Sequence, residues 1–319
     1  MQKRIFSLIA LTSLAAPLCS AATYFLPGVS ESGGWHDAEK QWVDSSGNKV
    51  DDMMCWAAQA ACMAQYWQDW YVKAGNKLPD GTPNGYGESK RADGIVSSNI
   101  FETYKANWTN LGGLSEFGLP WYFTGQPDPE FFYNNYYRHP DFSKWNNQGG
   151  GYHSDLYATA DDFINNSGYY QYEVTGGGTS IQELTEELMR LITVDFSVVG
   201  LSIQYWDPAP AGGHAVTLWG IDVDDSTELV SAIYITDSDD DYHGLRRYEL
   251  ETEYGGADIK MQTYIDPELR DRYDVTIDEF TALSVADFVA AIPEPSSFGL
   301  FAGLAVLGFG ACVRRRRHR

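Results

Sequence analysis

Cysteine is scarce in this chain of 319 residues: there are four, and only Cys55 and Cys62 lie between the two terminal segments. That excludes the disulfide framework that staples small exported domains. Cations are scarce as well, with 22 Lys and Arg against 44 Asp and Glu, a formal net charge of −22. Several of these cations, Lys3, Arg4 and Arg314 to Arg317, sit at the extreme ends. An acidic body repels phosphate backbones, so nucleic acid is a poor partner, and the charge suits solubility outside the cell. The sequence contains no His-Glu-x-x-His pair, Gly-x-Ser-x-Gly elbow, phosphate loop or Cys-x-x-Cys pair. Metalloprotease, serine hydrolase, P-loop and dithiol chemistries lose their usual signatures accordingly, and no cofactor is expected. No Pro-rich or low-complexity linker and no internal repeat divides the chain, which reads as one large domain between two sorting segments.

The first segment, residues 1–22, has the parts of a secretory signal: Lys3 and Arg4, an apolar run from Ile5 to Leu18, and Ser20-Ala21-Ala22 as a small-residue cleavage site. Ala16-Pro17-Leu18 before Cys19 makes a poor lipoprotein box, which favours soluble export. The last segment, 293–319, joins Pro293-Glu294-Pro295 to an apolar stretch from Phe298 to Val313 and then to Arg314 to Arg317, His318 and Arg319. With Ser296 and Ser297 the stretch approaches the roughly 17 to 25 residues that a bilayer requires, and its basic end belongs on the cytoplasmic side. This tripartite tail resembles the PEP-CTERM sorting signal. The resemblance implies an exosortase as partner, a membrane contact through the tail, cleavage near Pro293 to Pro295, and delivery to the cell surface or matrix. A plain tail anchor gives the same side of the membrane.

Between these segments the most reactive-looking position is Cys55. The run Met53 to Lys73 has several alanines and no Gly or Pro, and Asp51 or Asp52 precedes it as N-cap, so it predicts a helix with Cys55 in its first turn. A helix N-terminus carries partial positive charge and unpaired amide donors, conditions that favour a thiolate. Cys62, on the same face, lies about 10 Å farther along the axis, beyond disulfide reach. The plainer alternative for Cys55 is a small buried hydrophobe.

Residues 23–50 are rich in Gly, Ser and Asp and read as extended, and the polar segment Gly75 to Gly87 reads as loop. A second helix is expected over Ser97 to Ala106. From Pro120 to Gly178 the chain is crowded with Tyr, Phe, Asn and Gly without clear periodicity, as loops lining a cleft would be. Ser180-Ile181-Gln182-Glu183 is a capping box that opens a helix to about Ile192. Strands are expected at Ser197 to Gln204, His214 to Asp222, Leu229 to Thr236, Arg246 to Thr252, Lys260 to Tyr264 and Phe280 to Ser284. Helix first and sheet afterwards is an α+β layout.

A hairpin turn centred between Asp225 and Ser226 sets His214 opposite Asp237. An imidazole beside a carboxylate is how a general base is oriented and its protonated form stabilised. Asp239, two residues on, points the same way. Of six histidines, only His214 opens a strongly apolar strand; His36, His139, His153, His243 and His318 have loop or tail contexts. Cys55 as nucleophile, His214 as base and acid, and Asp237 or Asp239 as orienter make a thiol triad. Against it stand an ordinary strand-end histidine and a solvated acidic turn. The run Asp237 to Asp241 also suits calcium, although Tyr242 and Tyr248 occupy the positions where an EF-hand needs Gly and Glu.

Four blocks now resemble the IdeS family of immunoglobulin-degrading cysteine peptidases, in the family's order: Gly34-Trp35-His36-Asp37-Ala38-Glu39-Lys40, Asp51-Asp52-Met53-Met54-Cys55-Trp56-Ala57-Ala58, His214-Ala215-Val216-Thr217-Leu218-Trp219-Gly220, and Ala232-Ile233-Tyr234-Ile235-Thr236-Asp237-Ser238-Asp239. They span about Gly34 to Thr252, and Gly75 to Gly178 is only loosely similar. The resemblance implies a papain-like fold over residues 23–290, proteolysis of protein substrates through Cys55 and His214, both Asp237 and Asp239 near the imidazole, and Lys40 helping to hold the oxyanion. An ammonium beside the Cys55 amide suits that task. Two departures stand out. The stretch from Lys40 to Cys55 is lengthened through Asp44 to Asn48, which makes Lys49 a rival for the oxyanion role. Trp56 replaces a small residue, which is expected to narrow the cleft.

The resulting expectation is an exported, surface-sorted cysteine endopeptidase whose targets include immunoglobulin-like proteins as one possibility. Another thiol acyl-transfer enzyme, such as a transglutaminase or amidase, shares the same triad. A non-catalytic matrix or binding protein, using Trp121 to Tyr172 as its face, shares the same fold.

Overall fold

The computed structural model describes residues 21–41, 46–90, 96–108, 110, 112–113, 115–126, 149–174, 179–206, 210–239, 243–252, 259–261 and 274–292. Helix α1 (Cys55–Lys73) is its axle. Almost every side chain from Trp56 to Trp70 is buried, because the helix meets strands on one side and other helices on the rest. Its start differs from the sequence expectation. The N-cap is Met54, with no side-chain cap and no acidic residue in the first turn. Asp51 instead accepts the Gln41 amide on both carboxylate oxygens at 3.0 and 2.9 Å, and Asp52 accepts from Lys49 and Asn110, each at 2.6 Å. The candidate caps tether neighbouring chain, and the N-cap position falls to Met54, whose side chain makes no capping hydrogen bond.

Helix α2 (Asn99–Asn107) is capped by Ser98, whose hydroxyl accepts from the Phe101 amide at 3.3 Å. The crowded region expected to be loops around a cleft instead contains α3 (Ser115–Thr124), α4 (Ala160–Asn166) and strand β4 (Tyr169–Glu173). Every residue of α3 is buried even though Pro120 lies inside it. Pro120 cannot donate to the Glu116 carbonyl, a cost that burial of Phe117, Leu119, Trp121, Tyr122 and Phe123 offsets. Trp121, Tyr122, Phe123 and Phe163 therefore belong to the core and not to an exposed binding face; positions 127–148 and 175–178 of that region lie outside the described residues. Helix α5 (Ile181–Thr193) opens on the expected capping box, with Ser180 and Glu183 bonded reciprocally.

The strands are β1 (Ala21–Phe25), β2 (Tyr86–Lys90), β3 (Val96–Ser98), β5 (Ser197–Trp206), β6 (Pro210–Asp224), β7 (Val230–Thr236), β8 (Arg246–Thr252), β9 (Ile259–Met261) and β10 (Asp274–Ser284), besides β4. Strands β5 to β10 close on one another in the order β6-β5-β10-β9-β8-β7-β6, all antiparallel, with β1 added at β6 and β4 at β10. The architecture is thus α+β, with an antiparallel sheet wrapped into a ring. Strand β1 was not anticipated; it takes in the last two residues of the expected signal segment, pairing Ala21 with Asp224 and Ala22 with Val223.

The β6–β7 register also differs from expectation. Thr217 pairs with Thr236 and Leu218 with Ile235, which extrapolates to position 239 opposite His214. The turn is displaced because the Asp224 side chain accepts from the Ser226 and Thr227 amides at 3.0 and 2.8 Å and the Asp224 amide bonds to the Leu229 carbonyl at 2.9 Å. That moves the turn centre toward Thr227. Helix α1 is bolted to the sheet by Gln59, whose amide donates to the carbonyls of Leu201 at 2.9 Å and Val216 at 2.6 Å. Gly200 makes this approach possible: a Cβ there would lie 2.6 Å from Gln59 Cδ and 2.9 Å from Met63 Sδ.

Candidate active site

Three segments converge where α1 begins. The α1 N-terminus presents Cys55, half-buried. Strand β6 presents His214, whose backbone partner is Ile203 on β5. The loop after β7 presents Asp237 and Asp239. His214 Nε2 lies 2.6 Å from Asp237 Oδ1, and that oxygen also accepts the Asp239 amide at 2.9 Å. The other ring nitrogen, Nδ1, is 3.7 Å from Asp239 Oδ2. Burial opposes ionisation of Cys55, but the hydrogen bond from His214 and the positive charges of His214 and Lys40 outweigh it and hold the thiol below its ordinary value. Cys62 behaves oppositely. Burial, with Asp37 nearby, pushes its thiol well up, and its sulfur accepts the Ala38 amide at 3.3 Å.

Lys40 is buried in the wall of the same site. Its ammonium donates to the Asp52 carbonyl at 2.8 Å and forms an ion pair with Asp239. A hydrogen bond from the Lys40 amide to the Ser238 carbonyl at 3.1 Å anchors the segment against the loop. Lys49, the alternative cation, points outward, with 76% of its side chain exposed, and pairs with Asp52. The Trp56 ring does not narrow the cleft; it is buried against Tyr104 and Trp108, at centroid distances of 5.8 and 5.0 Å. Of the run Asp237 to Asp241, positions 240–242 lie outside the described residues, and the described carboxylates are engaged by His214 and Lys40.

Cys55, His214, Lys40 and Asp239 open onto one cavity of about 860 Å³, large enough for several substrate residues. Its remaining wall includes residues the sequence reading missed: Ser202 and Gln204 on β5, Asp278 and Glu279 on β10, and Glu173 on β4. Burial, reinforced by repulsion from Glu116 and Asp278, raises the Glu279 carboxyl to about 7. A faint signal for this wall existed in β5, where Ser202 and Gln204 alternate with Leu201 and Ile203. Among the described residues, two sets of side chains have donor atoms within 4.8 Å of one another, as cation ligands do: His214 with Asp237 and Asp239, and Asp37 with Glu39 and His243.

A long apolar helix is absent from the described residues, none of which forms a span able to cross a membrane; the apolar stretch of the tail lies outside them. No curated protein matches the chain. The family described as Mac 1 matches residues 147–269, a stretch that includes His214, Asp237 and Asp239 and leaves out Lys40 and Cys55. The PEP-CTERM protein-sorting motif matches residues 291–317, so the chain ends in a sorting signal of the type read by an exosortase and associated with export to the surface.

Proposed function

We propose that this protein is an exported cysteine endopeptidase with a papain-like catalytic domain over residues 23–290, a signal segment over 1–22 and a sorting tail over 293–319. One observation carries this reading: His214, held with Nε2 2.6 Å from the Asp237 carboxylate, opens onto the same cavity as Cys55 at the start of a helix, and its presence lowers the thiol below its ordinary value. The similarity to Mac 1 over the His214 half of the site supports an IdeS-like peptidase relation.

In the proposed reaction the Cys55 sulfur attacks a peptide carbonyl in the cavity, forming a C–S bond and driving the carbonyl electrons onto oxygen. The Cys55 amide at the positive end of α1 and the Lys40 ammonium are the donors placed to meet that oxyanion. His214, protonated when Cys55 ionises, gives its proton to the departing amine as the C–N bond breaks. A water molecule then enters, His214 removes its proton, and hydroxide attack releases the acyl group and restores the thiol. Asp237 keeps the ring in one orientation and stabilises the imidazolium.

The test is incubation of the purified protein with a diverse proteome, immunoglobulin included, followed by sequencing of new N-termini. New peptide N-termini that vanish with Cys55→Ala support endopeptidase action. Crosslinks with released ammonia would assign a transglutaminase instead, and products undiminished in Cys55→Ala would remove the thiol from the mechanism.

A further inference from the structure

Behind the Lys40 wall lies a second cluster that the proposed chemistry does not use. Glu39 is buried, with its side chain only 1% exposed, and neither of its carboxylate oxygens has a hydrogen-bond partner among the described residues. Such a group is costly: a carboxylate removed from water needs donors, a counter-ion or a metal. Glu39 Oε1 lies 3.9 Å from His243 Nδ1, and that nitrogen is 3.5 Å from Asp37 Oδ2.

We propose that Asp37, Glu39 and His243 bind a divalent transition cation, zinc above all. One imidazole and two carboxylates are a borderline donor set, whereas calcium demands six to eight oxygens. Tetrahedral zinc with bonds of about 2.0 to 2.2 Å separates its ligands by roughly 3.4 Å. The two separations from His243, 3.5 and 3.9 Å, need only a small contraction to reach this geometry, and all three ligand atoms lie within 4.8 Å of one another. His243 is 42% exposed, which provides an entry path and leaves room for water as fourth ligand. Support around the ligands is present too. The Gly244 amide donates to Asp37 Oδ2 at 2.9 Å, and the Trp35 ring meets His243 edge to face at 5.7 Å. A cation here would clip the segment ending in Lys40 to the chain that follows Asp239, and so would brace the Lys40–Asp239 pair from behind. This inference rests on Glu39 and its neighbours, independently of any peptidase reading.

The decisive experiment is isothermal titration of the chelator-stripped protein with zinc in a Cys55→Ala background, which removes the reactive thiol as a competing ligand. One equivalent should bind, and His243→Ala, a change at a half-exposed ring that leaves the core intact, should weaken binding at least tenfold. Glu39→Gln should do the same while His214→Ala retains the site. Absence of stoichiometric binding would overturn the proposal and leave a proton shared between Asp37 and Glu39 as the compensation. Binding unchanged by His243→Ala, or abolished only by His214→Ala, would overturn it equally.

Discussion

His214 Nε2 meets Asp237 Oδ1 at 2.6 Å although the β6–β7 ladder never pairs the two residues. Strand β7 ends at Thr236, and the chain beyond it folds back so that one Asp237 oxygen accepts from both the imidazole and the Asp239 amide. The contact therefore depends on the loop. Asp237→Asn should lower kcat by a factor on the order of 10² to 10⁴ with little change in KM, because the amide no longer favours the reactive tautomer or its cation. Asp239→Asn should cost less. Steady-state kinetics on a cleaved peptide distinguish the two, and an Asp237→Asn enzyme of full activity would count against His214 as base.

The two thiols should react very differently. Cys55, held below its ordinary value, should be alkylated by iodoacetamide rapidly near neutral pH, whereas Cys62, pushed up by burial, should remain unlabelled until the protein unfolds. In His214→Ala the rate at Cys55 should fall and its pH profile move toward the ordinary thiol range. Peptide mapping by mass spectrometry reads both sites in one experiment, and equal labelling of the two would argue for a non-catalytic protein.

Replacing Lys40 should separate it from Lys49. Lys40→Met removes an ammonium from the cavity wall and should reduce kcat by about 10²- to 10³-fold if it meets the oxyanion. Lys49→Met, at an exposed surface pair, should leave kcat within about twofold. Circular dichroism on the same samples guards against misfolding, since Lys40 also holds Asp239 and the Asp52 carbonyl.

Glu279 should make stability depend on pH. Its folded value of about 7 lies above the ordinary 4.5, so the unfolded chain ionises first as pH rises. The associated stability is fully present below about pH 4.5 and is lost as pH climbs through 7. Glu279→Gln should raise the melting temperature at pH 8 and leave it nearly unchanged at pH 4.5, a difference on the order of 1 to 3 kcal/mol. Parallel shifts at both pH values would remove the carboxyl as the cause.

His153 should act at the other end of the scale. Buried among Trp67, Phe123 and Tyr122, with Nε2 3.1 Å from Gln68 Nε2, it is held neutral, its pKa depressed from 6.5 to about 4 by burial. The unfolded chain takes up a proton that the fold resists, so stability present above about pH 6.5 is lost as pH falls toward 4, by about 3 kcal/mol at most. His153→Phe should flatten that acid limb in urea titrations at pH 7 and pH 4.5. An unchanged limb would place the acid sensitivity elsewhere.

The local code of this protein is written in its sequence. The Gly- and Pro-free run ending at Lys73, the Ser180–Glu183 capping box and the strand at Arg246 to Thr252 follow from short-range propensity and patterning, and they occur as expected. Cys55 at a helix start and His214 on an apolar strand are legible for the same reason, since each needs only its own neighbours to be recognised. Tertiary structure decided what the neighbours could not. Asp51 and Asp52 are good caps in isolation, yet Gln41 and Lys105 claim the first and Lys49 and Asn110 the second. Pro120 signals a break, yet burial of an almost wholly apolar turn on either side carries the helix through it. The acidic wall of Glu173, Asp278 and Glu279, and the meeting of Glu39 with His243, join residues far apart along the chain. Their proximity is fixed only when the strands close into a ring, because periodicity specifies which face a side chain takes and says nothing of what that face will meet.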